Sequence, residues 1–313
     1  MRIIYHKDDI DVPACVATVG FFDGVHAGHR FLIDELKAEA GRQHLPAGVI
    51  TFAVHPRKVL NSDFQPQLLN TLDEKLGRFE TTGIDYCIVL DFSLSMARLS
   101  AYEFLKTVLQ EKYHVKTLFV GHDHRFGHNR SEGFGEYKAY GEQLGMEVIK
   151  AGKFRTDFEN HVSSSHIRAA LLEGRVETAS KLLSYDYFLS GKVEAGFRIG
   201  SKIGFPTANI APDDPDKLVP GVGVYAVKVT WKGNSYVGML NIGNRPTLDN
   251  GLKTTIEVHI IDFSEDIYGE TLEISFVRKI RDEQKFANIG KLVEQLHKDR
   301  DRVLGVFGNM ENE

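Results

Sequence analysis

Strand-like and helix-like patterns alternate along the first half of this chain, and that alternation limits its fold more than any other feature. Five short runs rich in valine, isoleucine and phenylalanine read as strands: Cys15–Val19, Gly48–Phe52, Asp85–Leu90, Thr117–Val120 and Glu147–Lys150. Between them, apolar residues recur at helical spacing, as at Leu72, Leu76 and Phe79. Strands that alternate with helices in this way form βαβ units, so we predict an α/β domain with a mainly parallel sheet.

Before residue 185, further helices are predicted after Gly28 and over the ranges Ala101–Lys112, Ser163–Gly174 and Val176–Leu183. The pattern changes near residue 185. Beyond them come four strands separated by turn signals: Val222–Trp231, Tyr236–Ile242, Thr254–Asp262 and Thr271–Arg278. Successive strands without helices between them indicate an antiparallel barrel, and Ile289–Val306 forms an amphipathic terminal helix. We therefore predict two domains, residues 1–184 and residues 185–313.

Length and composition agree with a two-domain globular protein. The chain has 313 residues, of which 42% are hydrophobic and 26% are charged. A formal net charge of −5 gives no general attraction to nucleic acid or to an anionic membrane, and no apolar window is long enough to span one. Cys15 and Cys87 both lie in apolar runs, as reduced thiols of an intracellular protein do. We expect a cytoplasmic protein with small-molecule partners, and a homo-oligomer stays open.

A glycine-rich segment, Gly20–His29, follows the first of these strands and leads into a helix. Such a turn directs backbone N–H groups and the positive end of the helix toward an anion, and Gly28 lets a phosphate approach the backbone. His26 and His29 are three residues apart, so they share a face of the first helical turn. Two imidazoles that donate hydrogen bonds suit a reaction in which charge builds on phosphorus. The alternatives are a metal-binding pair or two surface histidines.

A second anion-binding element is predicted at the start of the helix that follows Ser163. Ser164 and Ser165 offer hydroxyls there, and Arg168 follows one turn later. Hydroxyls and a guanidinium at a helix start make a competent phosphate clamp. Without further context, the same residues would form an ordinary helix cap.

The second half contains a polar, glycine-rich segment, Gly200–Asn209. Thr207 and Asn209 alternate in an extended stretch, so their oxygens point the same way. Neutral oxygens of this kind can complete the coordination of a Mg²⁺ ion that already carries ATP phosphates. Gly200 and Gly204 permit close approach beside them. Taken alone, the segment would instead be interpreted as a polar turn between strands.

These segments together resemble one family. The N-terminal motifs are G-F-F-D-G-V-H-A-G-H, V-G-H-D-H-R-F-G and V-S-S-S-H-I-R, and the C-terminal ones are G-F-P-T-A-N, E-V-H and R-D-E-Q-K-F. In this order they are similar to the signatures of bacterial bifunctional riboflavin kinase/FAD synthetases. The resemblance runs from about Val19 to Phe286. It implies a Rossmann-like H-x-G-H nucleotidyltransferase domain followed by a riboflavin kinase barrel.

The resemblance also implies an activity. The kinase domain would phosphorylate riboflavin with ATP to give FMN, and the first domain would join FMN to a second ATP to give FAD and pyrophosphate. Mg²⁺ would serve both steps, because each is a phosphoryl or nucleotidyl transfer. Riboflavin, FMN and ATP would be the partners of the chain.

The resemblance implies roles for the residues that match the motifs of the family. The implied catalytic residues are His26, His29 and the base Glu257, and the metal-holding residues are Thr207 and Asn209. The implied nucleotide-binding residues are Gly20, Phe21, Asp23, Gly28, Asp123, Ser164, Ser165, Arg168, Gly200 and Gly204. The implied flavin-binding residues are Arg125 and Arg281.

Several positions depart from the family pattern, and Ser131–Phe134 stands where Gly-Asp often follows the basic loop. His124 stands where an aromatic residue is common, Ser201 where arginine is usual, and Ala195 where histidine is frequent. Two other functions therefore stay open. One is an adenylyltransferase with a degenerate kinase domain or with another phosphorylated acceptor. The other is a non-catalytic, flavin-responsive binding protein, which would not need His26, His29 and Glu257 together.

Overall fold

The structure is a computed structural model that describes residues 1–8, 10–122, 124–155, 162–195, 200, 203–246 and 252–310. The chain divides into two compact units, Met1–Ser164 and Ser165–Glu313. The predicted site residue Asp123 lies outside the described residues.

The first unit is built on a six-stranded sheet. Its strands are β1 (Arg2–Tyr5), β2 (Cys15–Val19), β3 (Ala47–Phe52), β4 (Tyr86–Leu90), β5 (Val115–Val120) and β6 (Glu147–Lys150). They lie in the order β1-β4-β3-β2-β5-β6, and all neighbouring pairs are parallel. The predicted parallel sheet is confirmed. Strands β3 and β4 follow β2 on one side of it in the sheet, whereas β5 and β6 lie on its other side. The order of the strands therefore reverses direction between β2 and β5, and we call this place the reversal point.

Helices cover both faces of this sheet, as a parallel sheet requires. They are α1 (Ala27–Gln43), α2 (Pro56–Leu60), α3 (Leu72–Glu80), α4 (Leu94–Ala97), α5 (Ala101–Glu103), a π-helical continuation over Phe104–Lys112, and α6 (Phe134–Leu144). One core, with Leu36 and Phe79, lies against α1 and α3. The other, with Leu105 and Tyr137, lies against the π-helical segment and α6. The sheet is therefore buried on both sides, and its functional groups can lie only at its edges or at the ends of its strands.

The second unit begins with two helices, α7 (Ser164–Leu172, whose first residue belongs to the first unit) and α8 (Val176–Leu183). Six strands follow: β7 (Phe188–Glu194), β8 (Ala208–Pro212), β9 (Gly223–Trp231), β10 (Asn234–Pro246), β11 (Leu252–Ile260) and β12 (Thr271–Arg281). They close an antiparallel barrel in the order β10-β11-β8-β7-β12-β9. The predicted barrel is confirmed.

The terminal helix α9 (Ile289–Met310) packs against the outside of the barrel. Val303 of this helix shares a buried cluster with Val224 and Met239 of the barrel wall. Tyr225 and Leu240 are the next residues along those two strands, and they are fully buried too. Because successive residues of a strand face opposite ways, Tyr225 and Leu240 fill the barrel interior. Side chains that share a face with Val224 and Met239 therefore lie on the outside of the barrel, on the side that α9 covers.

Most predicted elements are present within a few residues of their expected bounds. Strands β1 and β7 were not predicted, because β1 has only four residues and Ser190, Gly191 and Lys192 interrupt the apolar residues of β7. The start of β8 was predicted only as part of an extended stretch. The predicted division of the two activities between residues 184 and 185 stays a prediction.

Candidate active sites

The glycine-rich loop Gly20–Val25 lies at the reversal point of the sheet. It follows directly on β2, and Gly121 follows directly on the neighbouring strand β5. In open parallel sheets, ligands bind outside the carboxyl ends of the strands at such a point. The topology therefore brings the predicted phosphate loop to the expected edge of the sheet.

The backbone of this loop is strained. Phe22 has a φ of 54°, Gly24 of 84° and Val25 of 36°. Glycine adopts such angles readily, but a phenylalanine and above all a β-branched valine do so at a cost of about 1–3 kcal/mol each. Strain of this kind persists only where the surrounding structure holds it.

Asp23 supplies part of that restraint. Its buried carboxylate accepts hydrogen bonds from the backbone N–H groups of Leu69 and Asn70, at 2.9 and 3.2 Å. The Ser164 hydroxyl donates to the Asp23 carbonyl oxygen at 2.9 Å. Two residues predicted to bind nucleotide thus also tie the loop to its surroundings. Their contact with nucleotide stays a prediction.

His26 and His29 form a stacked pair at the start of α1. Their ring centroids are 3.6 Å apart, with an interplanar angle of 15°. His26 is the N-cap residue, and its Nδ1 accepts a hydrogen bond from the His29 N–H at 3.3 Å. Since Nδ1 is the acceptor, the proton of a neutral His26 ring is on Nε2. The predicted shared face of the two imidazoles is therefore present.

Burial keeps His29 neutral. The pKa of His29 lies well below its ordinary value. Desolvation is the largest cause, followed by the neighbouring rings of His26 and His124 and then by the charge of Lys75. Its Nδ1 atom is enclosed and has no hydrogen-bond partner among the residues that the structure describes. An enclosed, unsatisfied ring nitrogen costs free energy unless a ligand supplies its partner. This atom therefore favours a bound ligand at the pair.

Gly28 leaves room for the His26 ring. A Cβ atom there would lie 3.3 Å from both Cε1 and Nδ1 of His26, which is tighter than ordinary van der Waals contact. At Gly20, a Cβ atom would lie 3.0 Å from the Phe22 ring. Both glycines thus let aromatic rings close over the backbone of the loop, and direct contact with nucleotide stays a prediction for each.

A cationic cavity of about 390 Å³ lies beside the carboxyl ends of β5 and β6. Its lining includes His122, His124, Arg125, Phe134 and Lys150. Desolvation, and then the nearby charge of Arg130, lower the pKa of His124 to about 4, so this ring is neutral at physiological pH. Arg125 and Lys150 then supply the fixed positive charges. This cavity suits an anionic or aromatic ligand, and Lys150 was not singled out from the sequence.

A run of partly exposed aromatic rings lies on the other side of the loop. The Phe21 ring meets His55 edge-on at 4.6 Å, and His55 lies 5.3 Å from the Phe64 ring. Phe52, at the end of β3, meets Phe92 at 5.5 Å. Phe21 was predicted to contact nucleotide, and the structure adds an aromatic neighbourhood that the sequence did not reveal. The signal available in the sequence was the position of Phe52 at the end of one predicted strand and of Phe92 two residues after the next.

Helix α7 begins at Ser164, as the serine-rich segment predicted. Ser165 is exposed at the first turn, and Arg168 is partly buried one turn later. Both belong to the second compact unit. Their predicted contact with ATP phosphates stays a prediction.

In the second unit, the register of the strands places the candidate residues next to one another. Glu257 of β11 lies directly opposite Asn209 of β8 on one side and Asn241 of β10 on the other. Asn209 in turn lies opposite Glu194 of β7. Residues directly opposite one another in a sheet share a face, so Glu194, Asn209, Glu257 and Asn241 form one polar row. We call these four residues the polar row.

This row lies on the outer face of the barrel. Met239 shares the face of Asn241, two residues away, and packs against α9. Glu283 also lies near the row. A Cβ atom built on Gly243 would lie 2.6 Å from Glu283 Oε1 and 3.2 Å from the amide nitrogen of Asn241, so both side chains lie beside Gly243. Asn209 and Glu257 were predicted from the sequence as site residues. The other members were not, because only the strand register brings them together.

The segment before β8 is held close to the row. His259 Nδ1 lies 2.8 Å from the Pro206 carbonyl oxygen, and the His259 ring meets the Phe205 ring edge-on. A Cβ atom at Gly200 would lie 2.1 Å from the Phe205 carbonyl oxygen and 3.5 Å from Thr207 Oγ1, so only glycine fits there. Gly204 completes the turn with a φ of 84°. Gly200 and Thr207 are thereby neighbours, as the motif predicted.

The donor set around Thr207 fits a magnesium ion that arrives with ATP. Thr207 is exposed, and the neutral amide of Asn209 and the carboxylate of Glu257 share one face. Hydroxyl, amide and carboxylate oxygens are the ligands that Mg²⁺ prefers. Within the described residues, no group of three or more His, Cys, Asp or Glu side chains is placed to hold a metal ion. Phosphate oxygens would have to supply the remaining ligands.

Arg281 has a protein partner. Its Nε and one terminal nitrogen each lie 2.8 Å from Asp299 Oδ2, and Asp299 is fully buried on α9. Gln295 also donates to the Asp299 carboxylate at 2.8 Å. The guanidinium therefore joins the end of β12 to the terminal helix. Its predicted contact with flavin stays a prediction, and any such contact would add to this ion pair or replace it.

No helix among the described residues is long and apolar enough to cross a membrane.

Two family models match the chain. The model for FAD synthetase matches residues 9–166, and the model for riboflavin kinase matches residues 183–307.

Curated relatives match over almost the full length. The bifunctional riboflavin kinase/FMN adenylyltransferase of Escherichia coli is 35% identical over 98% of this chain and 97% of the relative. The enzyme of the same name from Haemophilus influenzae is 36% identical over 97% of this chain and 98% of the relative.

A crystal structure described as a macrolide-efflux protein from Streptococcus pneumoniae is also similar. It is 33% identical, has a TM-score of 0.87, and the match covers 96% of this chain and 97% of that chain. Identity above 30% over nearly the whole length, together with both family models, establishes the family. The chain belongs to the bifunctional riboflavin kinase/FMN adenylyltransferases.

Proposed function

We propose that this chain makes FAD from riboflavin in two ATP-dependent steps, with one site in each unit. The observation that carries the proposal is that both halves of the family match have an assembled set of polar groups. His26 and His29 stack at the reversal point of the sheet, and Glu257 lies opposite Asn209 on the barrel. A chain with a degenerate kinase domain would have no reason to keep the second set.

In the kinase step, Glu257 would orient the terminal hydroxyl of riboflavin and accept its proton as the oxygen attacks the γ-phosphorus of ATP. ADP leaves, and the product is FMN. Thr207 and Asn209 would hold Mg²⁺, which neutralises the charge that spreads over the phosphate oxygens. A carboxylate that accepts a hydroxyl proton late in the reaction fits the loose transition state of phosphoryl transfer.

In the adenylyl step, an oxygen of the FMN phosphate attacks the α-phosphorus of a second ATP, and pyrophosphate leaves. His26 and His29 would donate hydrogen bonds to the oxygens on which charge develops. Neutral imidazoles act here as donors rather than as bases, because burial disfavours a proton on His29 beyond the one it already carries. The positive end of α1 adds to the same stabilisation.

Other groups would bind the substrates. Ser164, Ser165 and Arg168 suit the outer phosphates of ATP, and Arg125 suits an anionic part of the flavin nucleotide. The rings of Phe52 and Phe92 offer partly exposed aromatic surface for a flavin ring. Riboflavin, FMN and ATP are the proposed partners. Cys15 and Cys87 are free and buried, which supports a cytoplasmic location.

The test is chromatography of the products formed by the purified full-length chain with Mg-ATP. One reaction contains riboflavin, and the other contains FMN. Conversion of riboflavin to FMN and then to FAD is the expected result. FAD formed from FMN but not from riboflavin would support an adenylyltransferase alone, and flavin binding without turnover would support a regulatory protein.

A further inference from the structure

Lys75 is a buried cation that neither proposed reaction step uses. It lies on α3 with only 2% of its surface exposed. Lysine is almost never buried to this extent unless its ammonium group has dedicated partners, because desolvating the charge is costly. The partners of Lys75 therefore indicate what its burial achieves.

Those partners belong to the glycine-rich loop and to the neighbouring strand end. Lys75 Nζ donates to the Phe21 carbonyl oxygen at 3.2 Å and to the Phe52 carbonyl oxygen at 3.0 Å. It also lies 4.1 Å from the centroid of the Phe21 ring. Two carbonyls from different segments and an aromatic face thus converge on one ammonium group. This arrangement satisfies a compact cation with three donors.

The same carbonyl is held from a second direction. The Thr51 hydroxyl also donates to the Phe21 carbonyl oxygen, at 3.1 Å. Phe21 immediately precedes Phe22, the first of the three residues with positive φ. The bonds from Lys75 and Thr51 therefore hold the loop where its strain begins, while Asp23 holds it where the strain continues.

We propose that Lys75 is a positioning residue of the adenylyl-transfer site, whose buried ammonium group holds the strained loop in the conformation that presents His26 and His29 to the nucleotide. This inference rests on the proposed function. Lys75 acts through the loop and does not itself touch the reacting atoms.

The charge of Lys75 also depends on pH in the range in which enzymes are assayed. Burial lowers the pKa of Lys75 to about 8, although the nearby charge of Asp23 and the Cys87 thiol raise it. Among the described residues, the titratable groups that face Lys75 from other elements are Asp23 in the loop, Cys87 in β4 and His29 in α1. Burial raises the pKa of Cys87 to about 12, so this thiol stays protonated at pH 8. Deprotonation of Lys75 above pH 8 therefore weakens the hold on the loop without a compensating change at Cys87.

The test compares two lysine variants in the full-length protein. Lys75→Met should lower kcat for FAD formation from FMN by about 100-fold, since a small misplacement of catalytic groups costs about that much. FMN formation from riboflavin should change less than about twofold, because the kinase site lies in the other unit. Lys37→Met is the matched control, because Lys37 also donates to a carbonyl oxygen, that of Thr82, but at the surface. It should leave both rates unchanged.

Two further measurements separate positioning from folding. In the wild-type protein, FAD formation from FMN should decline above about pH 8 relative to FMN formation from riboflavin. Lys75→Arg keeps a charge that does not titrate in this range, so it should lose that relative decline. A folded Lys75→Met protein with normal FAD formation, equal loss of both activities, or a wild-type ratio that stays constant to pH 9.5 would each overturn the inference. Absence of FAD formation by the wild-type protein would instead overturn the proposed function, and this inference with it.

Discussion

In the first unit, the candidate residues sit at a buried loop whose backbone is held from several directions, whereas in the second they stand on the outer face of a barrel. His26 is 5% exposed, and its partner ring is kept neutral by burial. Glu257 is only partly buried and is placed by pairing with Asn209 and Asn241. One site is thus preorganised by loop geometry, and the other by strand register.

This difference teaches where each site is vulnerable. A loop under strain depends on a few specific restraints, such as those from Asp23, Thr51 and Lys75. A row across four strands is supported by many backbone hydrogen bonds, so its weak points are the side chains themselves and the segments that close over them. Substitutions at four positions test this contrast.

Glu257→Gln should have the largest effect. Removing the proton acceptor should lower kcat for FMN formation by about 10³-fold, within the range typical of general bases. FAD formation from supplied FMN should be unchanged, because that reaction uses the other unit. Separate rate measurements with riboflavin and with FMN check this. Equal loss of both rates would contradict the two-site account.

His29→Ala should have the next largest effect, in the opposite unit. Loss of one donor to developing charge should slow FAD formation from FMN by about 10²-fold to 10³-fold, with FMN formation from riboflavin unaffected. His29→Asn keeps a donor and should retain more activity than His29→Ala. If both variants lose the same rate, the ring acts through its shape rather than through a hydrogen bond.

Asp299→Asn should weaken the barrel unit and the kinase step together. It leaves the partly buried Arg281 without its charged partner, and breaking a buried ion pair on one side costs about 3–5 kcal/mol. Because Arg281 joins the end of β12 to α9, KM for riboflavin should rise about tenfold with a smaller change in kcat. Urea unfolding and steady-state kinetics measure the two effects. Glu294→Gln, an exposed substitution on the same helix, is the control.

His124→Phe should have the smallest effect, and only in acid. The folded-state pKa of His124 is about 4, below its ordinary value of 6.5. Between these values the unfolded chain binds a proton that the folded chain does not, so stability falls as the pH drops through this window, by up to about 1.4 kcal/mol per pH unit. The variant should reduce that slope in urea unfolding from pH 6.5 to pH 4. An unchanged slope would show that His124 does not contribute.

Much of this architecture could be predicted because its signals are local. The segment Gly20–His29 is contiguous, and its place between a strand and a helix follows from the neighbouring apolar periodicity. The barrel followed from successive β-branched runs separated by turns. Strand β1, by contrast, has one buried residue in four, so its pairing with β4 could not be inferred from alternation.

The supporting residues could not be predicted in the same way. Lysines on helices are usually solvated, whereas the Lys75 ammonium group is buried against the carbonyl oxygens of Phe21 and Phe52. A signal was present, since Lys75 stands at the i+3 position of the apolar stripe of Leu72, Leu76 and Phe79. Glu194 and Asn241 gave no such signal, because strand register depends on the whole barrel.

The central claim is that one chain holds two independent sites joined only by the product FMN. The most direct test mixes the Glu257→Gln and His29→Ala proteins with Mg-ATP and riboflavin and follows FAD by chromatography. Each variant alone should form almost no FAD from riboflavin. The mixture should form FAD after a lag, because FMN made by the His29→Ala protein diffuses to the intact adenylyl site of the other. A mixture that forms no more FAD than either variant alone would contradict the account.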